Sequence, residues 1–382
     1  MHLSCEAVSD KPFGMINKMQ TYCELHALKV GSALSDAFNM YDENTEWDMR
    51  LHSEYLTEHL GFAPWMQGGT WGTHGLSAEQ SNSRDLQHKG GWMNMANLSG
   101  SSYWAFENQW VYIMGDSTVR QVWATVLSGF AGNNFERNAK EWTRENCARQ
   151  APHRHDHPPG GYFPDEGWGG KCGNNEVTCN LAGFGPTGIV TFDWKHFPYE
   201  DYDQWLFGLE GKWKMDPKER RPDILVVQTG LHTCFHAYVD GLSDPTKNNH
   251  TMVTNHIRDL PLMMESIKNA TSRPTSSPHG QTMVIIMLAG RIGGSGYTFD
   301  HCTWRFNGAV RREAHRWGFA VLEREEIERR LLFKSEHFEE VRYTKSAIHL
   351  DNPGPQITAT SLLALAACLR RNGSLPISNG EF

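Results

Sequence analysis

A three-layer α/β/α domain around a five-stranded parallel sheet is the architecture the sequence predicts, and three observations predict it. The first is a set of five short apolar runs: VYIM at 111–114, IVTF at 189–192, DILVVQ at 223–228, MVIIML at 283–288 and FAVL at 319–322. Strands buried on both faces read as near-continuous apolar runs, not as alternating ones. The second is helical spacing between the runs. Val119, Val122, Trp123, Val126 and Leu127 recur at i, i+3, i+4, i+7 and i+8, and Phe306, Val310, Ala314 and Trp317 lie along one helix face. The third is the order of these pieces. A repeated strand–helix–strand rhythm implies parallel strands joined by right-handed crossovers, with helices on both faces.

Taken in order, residues 1 to about 60 carry helical spacing. Met15, Met19, Tyr22 and Val30 share a face interrupted by His26, and Leu51, Tyr55 and Leu60 follow a looser version. From Pro64 to Ser101 the chain turns to Gly, Trp, Ser and Asn, an irregular stretch leading to the first strand. Residues 1–100 are therefore expected to form a helical and irregular extension packed on a core domain at 101–382. A polar insertion spans Gly129–Gly188 and contains PHRHDHPPGG. His153, His155 and His157 alternate there; on an extended strand they would share one face and could hold a metal. The flanking Pro and Gly residues favour a solvated loop instead. Helical spacing returns around His256–Ile267, and Ile357–Leu369 is expected to close the fold as an apolar helix.

With 39% apolar and 21% charged residues, the 382-residue chain has the composition of a globular protein able to bury a core. A net charge of −8 argues against nucleic acid or an anionic membrane as a main partner. No run is apolar for long enough to predict a membrane span. The eight cysteines, Cys5, Cys23, Cys147, Cys172, Cys179, Cys234, Cys302 and Cys368, include no CxxC pair, which excludes zinc-ribbon and thioredoxin readings. Cys172 and Cys179 bracket a Gly-Asn loop and are the most local candidates for a disulfide. Their even number and four sequons, at Asn97, Asn249, Asn269 and Asn372, lean towards a secretory lumen or the cell exterior. MHLSCEAVSDKPF lacks the apolar core of a signal peptide and leans the other way.

The chain is organised around VYIMGDSTVRQVW, residues 111–123. A buried strand passes through Gly115, Asp116 and Ser117 into an amphipathic helix, so Ser117 stands at a helix N-terminus at the carboxyl end of a strand. Unpaired N–H groups and the positive end of the helix dipole converge there and suit an oxyanion. In open α/β sheets, sites lie at that edge. Ser117 is thus either a nucleophile whose own N–H steadies the charge it creates, or an N-capping serine without chemistry.

The block GDSTVRQVW, with Arg120 three residues after the serine, resembles the first block of the SGNH (GDSL-type) hydrolases. It is more similar to their PC-esterase branch, which includes the trichome-birefringence-like polysaccharide O-acetyltransferases and the neurexophilin-and-PC-esterase-domain proteins. The resemblance covers roughly Trp104–Leu369 and implies a sheet order of 2-1-3-4-5. It also gives roles to two further segments. In QTGLHTCF, Thr229, Gly230 and His232 are similar to the branch's Thr-Gly-His. This implies an oxyanion hole formed by Gly230 N–H and His232 where the wider family has an asparagine. A loop histidine hydrogen-bonded to backbone is the alternative. In YTKSAIHLDNPGPQI, His349 stands where the family places its catalytic base. Asn307, before the segment GFAVLEREEIE, also fits the branch.

One departure matters. The family's last block is Asp-x-x-His, and this chain has Ser346 three residues before His349. The acid that orients the histidine is missing from that place. Asp351 is its nearest substitute, and a Ser–His dyad is the alternative. The function implied is serine-dependent acyl-ester chemistry without cofactor or resident metal: an O-acetyl esterase, or an O-acetyltransferase using an acetyl donor, acting on a small-molecule or glycan ester. From a different class, the same scaffold could serve as a binding protein that has lost catalysis.

Overall fold

A computed structural model describes residues 10–39, 106, 109–131, 147–150, 176–180, 189–194, 221–238, 246, 248–272, 282–291, 297–332 and 354–371. The five apolar runs are strands: β1 (Trp110–Gly115), β4 (Ile189–Trp194), β5 (Ile224–Gln228), β6 (Met283–Met287) and β7 (Ala320–Leu322). They are parallel in the spatial order β4-β1-β5-β6-β7, which is the 2-1-3-4-5 order expected. The insertion adds something the sequence did not announce. Within it, β2 (Cys147–Gln150) and β3 (Glu176–Asn180) extend the sheet beyond β4 as antiparallel strands, giving seven strands among the described residues. At four and five residues, neither is an apolar run of the buried-strand kind. The β2–β3 register sets Cys179 opposite Cys147; Cys172, and with it the expected Cys172–Cys179 disulfide, lies outside the described residues, as do His153, His155 and His157.

Side chains of the parallel strands alternate between two cores. Val111, Ile113, Val190, Phe192, Ile224, Val226, Ile285 and Leu322 join one. That face is covered by α1 (Asp10–Asn39), α2 (Ser117–Ala131), α6 (Arg324–Leu332) and α7 (Gly354–Arg371). Tyr112, Met114, Leu225, Val227, Ile286 and Val321 join the other, beneath α3 (Leu231–Tyr238), α4 (His250–Ser272) and α5 (Tyr297–Arg316). Burial on both faces is why these strands read as unbroken apolar runs. The anticipated faces of α2 and α5 are the buried ones, with Val119, Val122, Phe306, Val310 and Ala314 sealed from solvent.

Helix α1 differs from expectation. Its buried stripe is Cys23, Ala27, Val30, Ala33 and Leu34, whereas Tyr22 is 60% exposed. Small residues replace the large apolar ones because α1 lies tight against its neighbours: a Cβ on Gly31 would fall 2.5 Å from Ser361 Oγ and 2.7 Å from Ile327. The disulfide Cys23–Cys368 ties α1 to α7 with the Cα atoms 5.4 Å apart. α1 also covers the free edge of β7, whose outward backbone groups would otherwise invite another strand. Gln20 Nε2 donates to Phe319 O at 2.7 Å, and Glu24 Oε1 accepts from Val321 N at 2.8 Å.

The second Glu24 oxygen lies 3.1 Å from His315 Nε2. That hydrogen bond raises the His315 pKa above 6.5, against the opposing effect of burial. A raised folded-state pKa gives stability that is fully present below the unfolded value and lost as pH rises through the folded one. His315→Gln is therefore expected to destabilise the protein below about pH 6.5, and its deficit should vanish in alkaline solution. With His315 45% exposed, a screened pair of this kind contributes roughly 0.2–1 kcal/mol. Urea titrations of both proteins at pH 5.5 and pH ~9 check this; a deficit independent of pH would exclude the pairing as its source.

Candidate active site

At the carboxyl edge of the sheet, adjacent strands β1 and β5 each hand over to a helix. Their register pairs Met114 with Val227, so the turns Gly115–Ser117 and Gln228–Gly230 emerge side by side. Two helix N-termini, of α2 and α3, thereby face one edge, and the positive ends of their dipoles form an anion-favouring corner.

In the first turn, Asp116 is the helix cap and Ser117 is not. The Asp116 carboxylate is 1% exposed. Its Oδ1 accepts from Thr118 N at 2.8 Å, Thr118 Oγ1 at 2.7 Å and Val119 N at 3.4 Å. Arg120 N closes the first helical bond to Asp116 O at 3.0 Å. The capping serine left open by the sequence is thus excluded: the cap is occupied one residue earlier. Among the described residues, the Ser117 hydroxyl and N–H make no hydrogen bond, and its side chain is only half-buried. Gly115 is required by packing, since a Cβ there would sit 2.6 Å from Val119 Cγ2. Arg120 is buried in the first turn of α2.

In the second turn, Gly230 has φ +103°, a conformation that strains any residue with a Cβ. Cys234 N donates to Gly230 O at 3.1 Å, which starts α3. The Phe306 ring packs directly beneath, and a Cβ on Gly230 would meet its Cδ1 at 2.4 Å. His232 is the second residue of α3, half-buried, with its ring 5.6 Å from that of His236 and 6.3 Å from Phe235. The disulfide Cys234–Cys302 fastens α3 to α5. Thr233 adds a hydrogen bond to His256 Nδ1 on α4 at 2.8 Å, and burial lowers the pKa of that histidine, with Asp259 opposing.

The structure therefore brings Ser117, Arg120, Gly230 and His232 to one edge. His349, Asp351 and Ser346 lie outside the described residues; α7 opens at Gly354, shortly after them. Asn307 has a different job from a site group. It sits mid-α5, fully buried, and holds both backbone groups of Ala289 just past β6, at 3.0 and 2.9 Å, as well as Glu325 at 2.7 Å. Among the described residues no group of three His, Cys, Asp or Glu side chains could hold a metal ion.

Two features were given no role by the sequence. Gln228 and Thr229 are 3% and 4% exposed, and among the described residues Gln228 Nε2 and Thr229 Oγ1 have no hydrogen-bond partner. The signal was present, since a polar pair ending an apolar strand is unusual, but nothing local says where it points. The other feature is a buried pair, Arg324 and Glu328, that touches Thr118.

No family model matches the sequence, and no curated protein matches it. Solved structures similar to it include an alpha/beta hydrolase enzyme from the metagenome of Lake Arreo, Spain, at 13% identity and TM-score 0.38, covering 68% of this chain and 96% of that one. Another is an acetylxylan esterase from Geobacillus stearothermophilus, at 11% identity and TM-score 0.37, covering 69% of this chain and 94% of its own. At such distances the chemistry of the site is read from its residues alone.

Proposed function

We propose that the chain is a serine-dependent acyl-ester enzyme of the SGNH type, in its PC-esterase branch. It forms an acyl-Ser117 intermediate and passes the acyl group to water or to a sugar hydroxyl, as an O-acetyl esterase or O-acetyltransferase. The observation that carries this is the division of labour at the first turn. Asp116 occupies the cap, which leaves Ser117, among the described residues, with an unengaged hydroxyl and N–H at the carboxyl edge, beside the Gly230 turn.

Ser117 Oγ attacks the ester carbonyl while His349 takes its proton. The tetrahedral oxyanion is held by the N–H groups of Ser117 and Gly230 and by the His232 imidazole. His349 returns the proton to the leaving alcohol; water or an acceptor hydroxyl then repeats the sequence in reverse on the acyl-enzyme. Asp351 orients His349 in place of the acid that Ser346 has displaced. Arg120, buried behind the nucleophile, belongs to the substrate-facing turn. The disulfides Cys23–Cys368 and Cys234–Cys302 support an oxidising compartment, a secretory lumen or the cell exterior. Among the described residues no helix is long and apolar enough to cross a membrane.

The test is turnover of 4-nitrophenyl acetate together with labelling by a fluorophosphonate probe, mapped by peptide mass spectrometry. Modification of Ser117 is the expected result, and silence of both across pH 5–9 would leave the binding-protein reading standing. Asp351→Asn should lower kcat by roughly 10²–10⁴-fold. An unchanged kcat would identify a Ser–His dyad.

A further inference from the structure

The segment Glu323–Glu328 follows β7; its first and third residues hold α5, and the second reaches α2. Glu323 takes a two-pronged hydrogen bond from Arg311 on α5, both contacts at 2.6 Å. Glu325 holds Asn307, which in turn holds Ala289. Arg324 turns the other way. Its Nη1 donates to Thr118 Oγ1 at 2.9 Å, and its Nε donates to Glu328 Oε1 at 2.5 Å. Glu328 Oε2 accepts from Arg291 N at 2.8 Å, and a Cβ on Gly290 would fall 2.2 Å from that oxygen. Arg324 and Glu328 are 2% and 1% exposed.

Stability alone does not account for this pair. A buried ion pair contributes little over well-packed apolar residues, because desolvation offsets its attraction. Its position is also wrong for helix electrostatics, since Arg324 opens α6 and touches the second residue of α2, a cation beside two positive helix ends. What Arg324 supplies is direction. By occupying a lone pair of the Thr118 hydroxyl it sends the Thr118 proton to Asp116 Oδ1. That fixes the Asp116 carboxylate on the amides of Thr118 and Val119, and keeps it off the N–H of Ser117.

We propose that Arg324, held by Glu328, is a positioning residue for the nucleophile turn, acting through Thr118 and Asp116 to keep the Ser117 N–H free and aimed for an oxyanion. The proposal rests on Ser117 acyl chemistry as the function, and its test has a readout independent of turnover. The pair is replaced together, Arg324→Met with Glu328→Leu, so that no buried charge is left alone. Thr118→Val is made separately and in combination. The pair-replaced protein should unfold cooperatively and retain KM within about twofold, with kcat reduced roughly 10–100-fold by misplacement of the turn. Thr118→Val should show the same loss, and the combination no further loss, because both act through one hydroxyl. Amide exchange at Thr118–Arg120 should quicken at least about tenfold while that of β5 and β6 stays unchanged. Additive losses, or unaltered exchange at Thr118–Arg120, would overturn the proposal. If the pair-replaced protein fails to fold, Thr118→Val decides by the same exchange readout. Absence of any Ser117-dependent turnover in the wild type would sink the acyl-transfer function, and exchange would still decide the positioning role.

Discussion

Ser117→Ala should reduce ester turnover by roughly 10⁶-fold, to the level left by binding and the oxyanion donors alone. The informative companion is stability. Were Ser117 the helix cap, its loss would cost about 1 kcal/mol. Asp116 already satisfies the amides of Thr118 and Val119, so Ser117→Ala should leave the urea midpoint unchanged. Asp116→Ala should show the reverse balance in stability, losing about 1 kcal/mol as the cap is removed. A Ser117→Ala protein that turns over esters normally would refute the nucleophile assignment.

Gly230→Ala should damage stability and activity together. Two costs fall on one methyl group. Backbone at φ +103° disfavours any Cβ, by on the order of 1–3 kcal/mol. The Cβ would also sit 2.4 Å from the Phe306 ring, and overpacking of that kind costs typically about 1–3 kcal/mol more. Either the ring or the turn must yield. In the proposed mechanism the turn supplies the second oxyanion N–H, so a loss of roughly 10²–10³-fold in kcat should accompany the destabilisation. Pairing it with Phe306→Leu separates the two costs. If the ring causes the damage, the double variant recovers stability; if the backbone does, it does not. Wild-type stability and kcat in Gly230→Ala would remove Gly230 from the site.

The five parallel strands were legible because burial on both faces leaves an unambiguous mark, a run of Val, Ile, Leu and Met bounded by polar residues. The same holds for α2 and α5, whose buried faces carry large apolar side chains at helical spacing. The face of α1 was not legible for the opposite reason. Close approach to α6 and α7 demands small residues, and Ala27, Gly31 and Ala33 carry too little apolar signal to mark a face. β2 and β3 were missed because short strands at the sheet's edge, one of them carrying Arg149 and Gln150, need no continuous apolar run.

Ser117 was nominated by local chemistry, a strand, a turn and a helix start, all sequence-near events, and Gly230 by the resemblance of its block to a family motif; the sequence by itself determined where both turns fall. It also determined that the five core strands are parallel, through the alternation of strands and helices. Only the tertiary structure decided which residue caps α2, because Asp116 and Ser117 are both good capping residues and only the coordinates show whose oxygen meets the amides. Only the tertiary structure put Arg324 on Thr118, 206 positions away, and Cys23 on Cys368, 345 away. Contacts at such separations are set by how helices and sheet pack, and a side chain's neighbours across a core leave no periodic trace in the sequence around it.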